Sequence, residues 1–286
     1  MLPPPIPQPQ GPAGRPTIVT GVTPASFGSL TRALAEAQAH QFFALDVDLR
    51  TTWMPAPISQ AGVVRLRSAW IPGSIDGLLA ARRKARLEAF LEHAARDMGL
   101  RTVVLPRSAE VRNGSTLGRE LRARFGPQSH SGIRFALGIR GSLVPRGHEQ
   151  LGQLSALRHQ AEEWDIDLAL DLAGEVPHYL EAEAAVLRLL PRLTLVRVPS
   201  WVSPSGELNT GDPISRRVVA ILADQGYAGT ISIIPAPPLL PPIWTSTAPS
   251  ASDEWTRSMI LDRYDRQRAD ERPTPYISPE LFREHY

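Results

Sequence analysis

Asp46, Asp48 and Arg50 stand at every second position of the segment FALDVDLR, and Asp167 and Asp171 are spaced in the same phase along IDLALDL. Side chains of an extended strand alternate between its two faces, so each set shares one face. The opposite faces are wholly apolar, with Phe43, Leu45, Val47 and Leu49 in the first segment and Ile166, Leu168, Leu170 and Leu172 in the second. Other apolar segments carry arginines in the same manner. Arg134 and Arg140 oppose Phe135, Leu137 and Ile139; Arg65 and Arg67 share one parity; Arg197 lies between Val196 and Val198. Carboxylates gathered in one place can move protons, and guanidinium groups fork onto carboxylate or phosphate. Together they describe a cup that could grip a small anion, or a closed network in which the arginines satisfy the aspartates.

The elements that must position these residues are eight short apolar segments: Thr17–Gly21, Phe42–Leu49, Gly62–Trp70, Arg101–Pro106, Ile133–Arg140, Ile166–Leu172, Leu193–Val198 and Gly229–Pro235. Helical stretches follow most of them, at Ser29–Gln41, Ile75–Met98, Thr116–Phe125, His148–Trp164, His178–Leu190 and Pro213–Gln225. The second unit has only the irregular stretch Thr51–Ala61. Strands alternating with helices pair in parallel through right-handed crossovers, and eight such units close without an edge. The fold class predicted is α/β, a single (β/α)8 TIM barrel. Three regions are expected: a proline-rich arm over residues 1–16, the barrel over 17–235, and a linker, helix and tail over 236–286. In the last region Trp255, Met259, Ile260 and Tyr264 are spaced for a helix that docks on the barrel.

In such a barrel the apolar parity faces the helices and the charged parity faces the lumen, and sites form at the carboxyl ends of the strands. Arg50, Arg67, Arg107, Arg140, Arg197 and Asp171 fall at or near those ends, while Asp46, Arg65, Arg134 and Asp167 lie deeper. Trp70, Trp201 and Trp244 follow strands, where a sugar ring could stack or a lid could form. The run Gly138-Ile139-Arg140-Gly141-Ser142 offers amides to a phosphate, or an ordinary turn.

Composition excludes several classes. Cysteine is absent, which removes disulfides, thiolate nucleophiles and Cys-ligated metal clusters. Lys84 is the sole lysine among 31 basic residues, so the pI near 9.3 overstates a net charge of only +2. The densest basic run, Arg82 to Arg86, shares a helix with apolar Leu87, Phe90 and Leu91 and reads as a solvated face rather than a nucleic-acid stripe. No secretory leader or membrane-spanning run is visible, and a cytoplasmic protein is expected. No dinucleotide fingerprint, P-loop or nucleophile elbow occurs.

The passages HAARDMGLRTVVLP, DIDLALDLAGE and DQGYAGTISI, with the order of the units, resemble the xylose isomerase-like barrels of the sugar phosphate isomerase and epimerase superfamily, over Thr17 to Pro235. The resemblance implies a divalent metal held by a glutamate ending the fifth strand, an aspartate ending the sixth, a histidine beyond it and a glutamate ending the eighth. Of these the chain keeps Asp171; Arg140 and Ile234 stand at the fifth and eighth strand ends, and Arg197 stands where many members have histidine. Glu175 and His178 offer an alternative metal triad with Asp171, although His178 also suits a helix start after Pro177.

The resemblance therefore implies a degenerate member. The expected roles are acid/base work by Asp171, with Asp48, and substrate binding by Arg50, Arg67, Arg107, Arg140, Arg197, Trp70 and Trp201. No metal or other cofactor is expected, a divalent ion being the alternative. The partner expected is a small anionic polyol or sugar derivative, with neither nucleic acid nor membrane, and with self-association or a protein partner through the terminal arms. A barrel without turnover that binds a metabolite or serves as a scaffold is the competing expectation. Abasic-site nucleic-acid hydrolysis, found in another branch of the superfamily, lacks the histidines it would need.

Overall fold

The computed structural model describes residues 15–22, 30–39, 44–50, 64–72, 75, 80–106, 116–140, 148–172, 186–199, 213–234 and 251–270. Eight strands form a closed parallel barrel in sequence order: β1 (Thr17–Val22), β2 (Ala44–Asp48), β3 (Arg65–Trp70), β4 (Thr102–Pro106), β5 (Arg134–Arg140), β6 (Asp167–Asp171), β7 (Leu193–Pro199) and β8 (Thr230–Ile234). Closure is made by β1 on β8, with Thr17 opposite Thr230 and Thr20 opposite Ile233. Six helices are described: α1 (Leu30–Ala39), α2 (Ala80–Asp97), α3 (Thr116–Phe125), α4 (His148–Glu163), α5 (Pro213–Asp224) and α6 (Ala251–Asp270). A helical turn at 186–189 runs into a 3-10 turn, Leu190–Arg192, ahead of β7.

The apolar parity faces outward, as the alternation predicts. Leu45, Val47 and Leu49 of the β2 segment and Leu168, Leu170 and Leu172 of the β6 segment are buried in one continuous core that includes Leu87, Phe90 and Leu91 of α2. Burying each such side chain contributes about 1.5–3 kcal/mol, and this layer between sheet and helices is the main cohesive region of the molecule. A second, smaller cluster lies apart from it: Trp70, Val104, Ala136, Ala169 and Leu195. All five sit at lumen-facing positions of their strands and plug the barrel.

Helices stop where the chain turns left-handed. Gly226 has φ 62°, and the amides of Gly226 and Tyr227 turn back onto the carbonyls of Ala223 and Leu222, so that α5 ends and β8 begins within a few residues. Asp165, at φ 48°, does the same work after α4, its amide bonding Glu162 and that of Ile166 bonding Ala161.

One placement differs from the sequence reading. The pairing of β2 with β3 slips by one residue, Leu45 facing Leu66 but Asp46 facing Ser68, so Arg67 is bulged out of the ladder. The bulge reverses the parity of β3 beyond it. Arg65 and Arg67 are exposed at the start of the strand, and Ser68 and Trp70 face the lumen instead. The C-terminal helix docks on the barrel as its spacing predicts: α6 packs on α5 and β8 and buries Ile260 and Tyr264 in the main core. Following β8, it takes the place of the eighth barrel helix. Arg263 pairs with Asp224 of α5 at 3.1 Å, and Arg15, just before β1, pairs with Asp265. Among the described residues, no helix is long and apolar enough to cross a membrane.

Candidate functional site

Above the apolar plug, the lumen is charged. Asp46 and Asp48 project from β2, Asp171 from the end of β6 and Arg197 from β7, while Arg50 reaches in from the turn after β2. The side chains of Asp46, Arg197 and Asp171 are all less than a tenth exposed. Charges so placed must be paired, because an isolated one would cost several kcal/mol.

Arg50 is set by its own neighbourhood. Its main-chain amide donates to Asp48 Oδ1 at 3.0 Å, Nε donates to the same oxygen at 2.9 Å, and Nη2 donates to Asp48 Oδ2 at 2.5 Å. The backbone contact fixes the turn, and the fork then has one direction left. That direction carries Nη2 to Asp171 Oδ2 at 3.0 Å. Arg197 meets the same carboxylates from the other side: Nε donates to Asp46 Oδ2 at 2.5 Å and Nη1 to Asp48 Oδ2 at 2.9 Å, with Asp171 Oδ2 at 3.9 Å. Asp46 is completed by two hydroxyls, Ser68 Oγ at 2.6 Å and Ser232 Oγ at 2.9 Å.

Trp70 is the floor. Its ring centroid lies 4.2 Å from the Arg197 guanidinium carbon and 4.7 Å from that of Arg50. Such contacts are worth about 2 kcal/mol when desolvated. Room for the ring is made by Gly138 on β5: a Cβ there would lie 2.6 Å from Trp70 Cζ3 and 3.0 Å from Val104 Cγ1. Gly138 is thus a ladder residue between Pro106 and Ala169 that accommodates an indole, which gives it a packing role in place of the phosphate contact its sequence context offered.

The electrostatics follow from the pairing. Burial alone would push the Asp48 carboxyl up, but the hydrogen bonds from Arg50 and the charges of Arg197 and Arg50 outweigh it and bring its pKa down to about 2. Burial likewise disfavours the Arg50 cation, and its hydrogen bonds to Asp48 with the charges of Asp48 and Asp171 overcome it, holding that group above its ordinary value. At neutral pH Asp48 is a fixed negative charge. Among the described side chains of this lumen cluster, two buried donors have no hydrogen-bond partner, Arg197 Nη2 and Trp70 Nε1.

Comparison with solved structures places this architecture. D-allulose 3-epimerase from Methylomonas sp. superposes with a TM-score of 0.55 at 16% identity, covering 88% of this chain and 98% of that one. The 3-keto-D-glucoside 4-epimerase of E. coli gives 0.51 at 14% identity, covering 87% and 100%. A xylose isomerase domain protein from Salmonella typhimurium gives 0.50 at 13%, covering 85% and 97%. The chain has the fold of the sugar isomerase and epimerase barrels. No protein-family model and no curated protein matches it.

In a barrel of this fold the sequence resemblance implied a divalent metal at the strand ends, and of the ligands it implied the described side chains include Asp171. Arg140 is register partner of Asp171 on β5, Ile234 ends β8, and the Asp171 carboxylate already accepts from a guanidinium. Among the described residues, no group of three histidines or acidic side chains is arranged to hold a metal ion. Glu175 and His178 lie outside the described residues.

Of the residues singled out in the sequence, the structure brings together Asp48, Asp171, Arg50, Arg197 and Trp70. Arg67 stands apart, exposed on the β3 bulge below the strand ends, because the extra residue turns it out of the lumen. Arg140 has its backbone in β5, its side chain being outside the described residues, as are Arg107 and Trp201 altogether. Arg134 and Asp167 pair at 3.7 Å near the starts of β5 and β6, and burial raises the Asp167 carboxyl despite the nearby Arg134 and Arg192. Ser68 and Ser232 were not anticipated. The lone hydroxyl of Ser232 between Ile231 and Ile233 was the available signal, since a polar side chain in an apolar strand marks the lumen face.

Proposed function

We propose that the chain is an isomerase- or epimerase-like cytoplasmic protein that binds a small anionic polyol or sugar derivative at the carboxyl-terminal mouth of the barrel, without a divalent metal. The observation that carries this reading is the Nη2 of Arg197. It is a buried cationic donor with no partner, seated on Trp70 beside carboxylates at the strand ends. A ligand oxygen would satisfy it, and a negatively charged one best.

Within this reading Asp171 moves the proton. It would take a proton from a carbon beside a carbonyl, leaving an enediolate, and return it to the neighbouring carbon on the same face, while the Arg197 N–H steadies the oxygen that gains charge. Asp48, held ionised by its low pKa, keeps Arg50 and Arg197 in position and is no proton donor at neutral pH. Arg107, Arg140 and Trp201 would complete the mouth around the anion.

A panel of ketose and aldose phosphates and sugar acids, screened by thermal shift and then followed by proton NMR in deuterated water, tests the reading. A stabilising anionic sugar that exchanges a carbon-bound hydrogen, and stops exchanging in Asp171→Asn, supports it. A panel in which no member shifts the midpoint would sink it.

One observation favours the second reading, a binding barrel without turnover: Arg50 and most of Arg197 are already engaged by aspartates. A ligand that stabilises the protein but shows no exchange would select that reading.

A further inference from the structure

We infer that the guanidinium of Arg197 is the built-in cation of the lumen, occupying the place among Asp46, Asp48 and Asp171 where a free ion would otherwise be needed to hold three carboxylates together. The inference deepens the metal-free reading above and rests on it.

The three carboxylates project from β2 and β6 into one lumen, and Asp46 and Asp171 are nearly wholly buried there. Like charges so close and so dry repel strongly unless a cation lies between them. Arg50 neutralises Asp48 and Asp171 from the mouth, but its described contacts do not include Asp46. Arg197 alone among the described cations touches Asp46, and it reaches the other two as well, at 2.5 Å, 2.9 Å and 3.9 Å respectively. Its position is therefore central, whereas that of Arg50 is peripheral.

The surroundings suit a flat cation rather than a spherical one. The guanidinium lies over the Trp70 face at 4.2 Å, a contact that a planar, weakly hydrated group makes well. Ser68 donates to Asp46 Oδ1 and Ser232 to Oδ2, so the carboxylate is oriented by both hydroxyls and Oδ2 is shared between Ser232 and Arg197 Nε. A hard divalent ion would instead draw several oxygens to about 2.0–2.6 Å of a single centre, whereas these carboxylates meet two separate nitrogens of Arg197, Asp46 at Nε and Asp48 and Asp171 at Nη1.

The experiment uses the full chain, treated with chelator and then dialysed, with Mn2+ and methylguanidinium as probes. Wild type should show no calorimetric Mn2+ binding and no change in thermal midpoint at millimolar Mn2+. Arg197→Met, similar in bulk but uncharged, should melt lower and regain about 5 °C or more with either probe. Adding Asp171→Asn to that variant should weaken the Mn2+ response. Stoichiometric Mn2+ on wild type overturns both the metal-free reading and this inference. An indifferent wild type together with an Arg197→Met protein that ignores both probes overturns the inference alone. If the variant is recovered only unfolded, refolding yield is measured with and without each probe; recovery that depends on a probe supports the inference, and yield independent of both overturns it.

Discussion

Arg50 and Asp171 meet across the full width of the barrel, Nη2 of one lying 3.0 Å from Oδ2 of the other, although one follows β2 and the other ends β6, strands four places apart around the ring. Arg197 makes a second span, from β7 to Asp46 and Asp48 on β2. The lumen is thus braced by ion pairs between strands that never share a backbone ladder. Such pairs are costly to break singly, because the partner left behind is a buried charge.

Asp46→Ala should therefore be among the most damaging substitutions in the chain. It removes the carboxylate that accepts from Arg197, Ser68 and Ser232 together. A loss of about 3–5 kcal/mol is expected in urea unfolding. A loss within experimental error would mean that Arg197 finds its balance elsewhere.

Stability should fall in acid through Asp48. Its folded pKa of about 2 lies below the unfolded value, so the group binds fewer protons folded than unfolded between those pH values. The stabilisation is fully present above pH ~4 and disappears as pH falls toward 2, amounting to about 2 kcal/mol. Urea midpoints measured across this window should drop in wild type. They should drop less in Asp48→Asn.

Gly138→Ala should disturb the plug without touching any charge. The added Cβ would meet Trp70 Cζ3 at 2.6 Å, so the indole must move and its hold on the two guanidiniums with it. Overpacking of this kind costs about 1–3 kcal/mol. Tryptophan emission should shift, and an unchanged spectrum with unchanged stability would show that the ring is not confined as described.

Tyr264→Phe should be neutral or stabilising, against the usual trend for core changes. The hydroxyl is buried in α6 with no partner, and burial holds its pKa above the ordinary tyrosine value. Removing it relieves a desolvation cost of about 1 kcal/mol. The sign in alkali follows as well. A tyrosine with a raised folded pKa loses its contribution as pH climbs above the unfolded value, so the variant should resist alkaline unfolding longer than wild type. Tyr227 behaves in the same direction, being buried, near Tyr264, and donating to the Thr230 carbonyl at 3.3 Å.

What the sequence determined by itself was local and periodic. Alternation of apolar and charged residues placed Leu45, Val47 and Leu49 under the helices and Asp46, Asp48, Asp171 and Arg197 toward the axis, and the succession of strand and helix implied the closed ring. These follow from a period of two along each strand and from the geometry of parallel crossovers, which neighbouring residues dictate. The tertiary structure decided the rest. The slip between β2 and β3 turned Arg67 out and Ser68 and Trp70 in, because register depends on the partner strand and an inserted residue reverses every side chain beyond it. It also decided that Arg50 and Arg197 are met by aspartates from distant strands. Those outcomes depend on which groups meet across a lumen roughly as wide as the side chains that fill it, and spacing along one strand carries no record of what stands opposite.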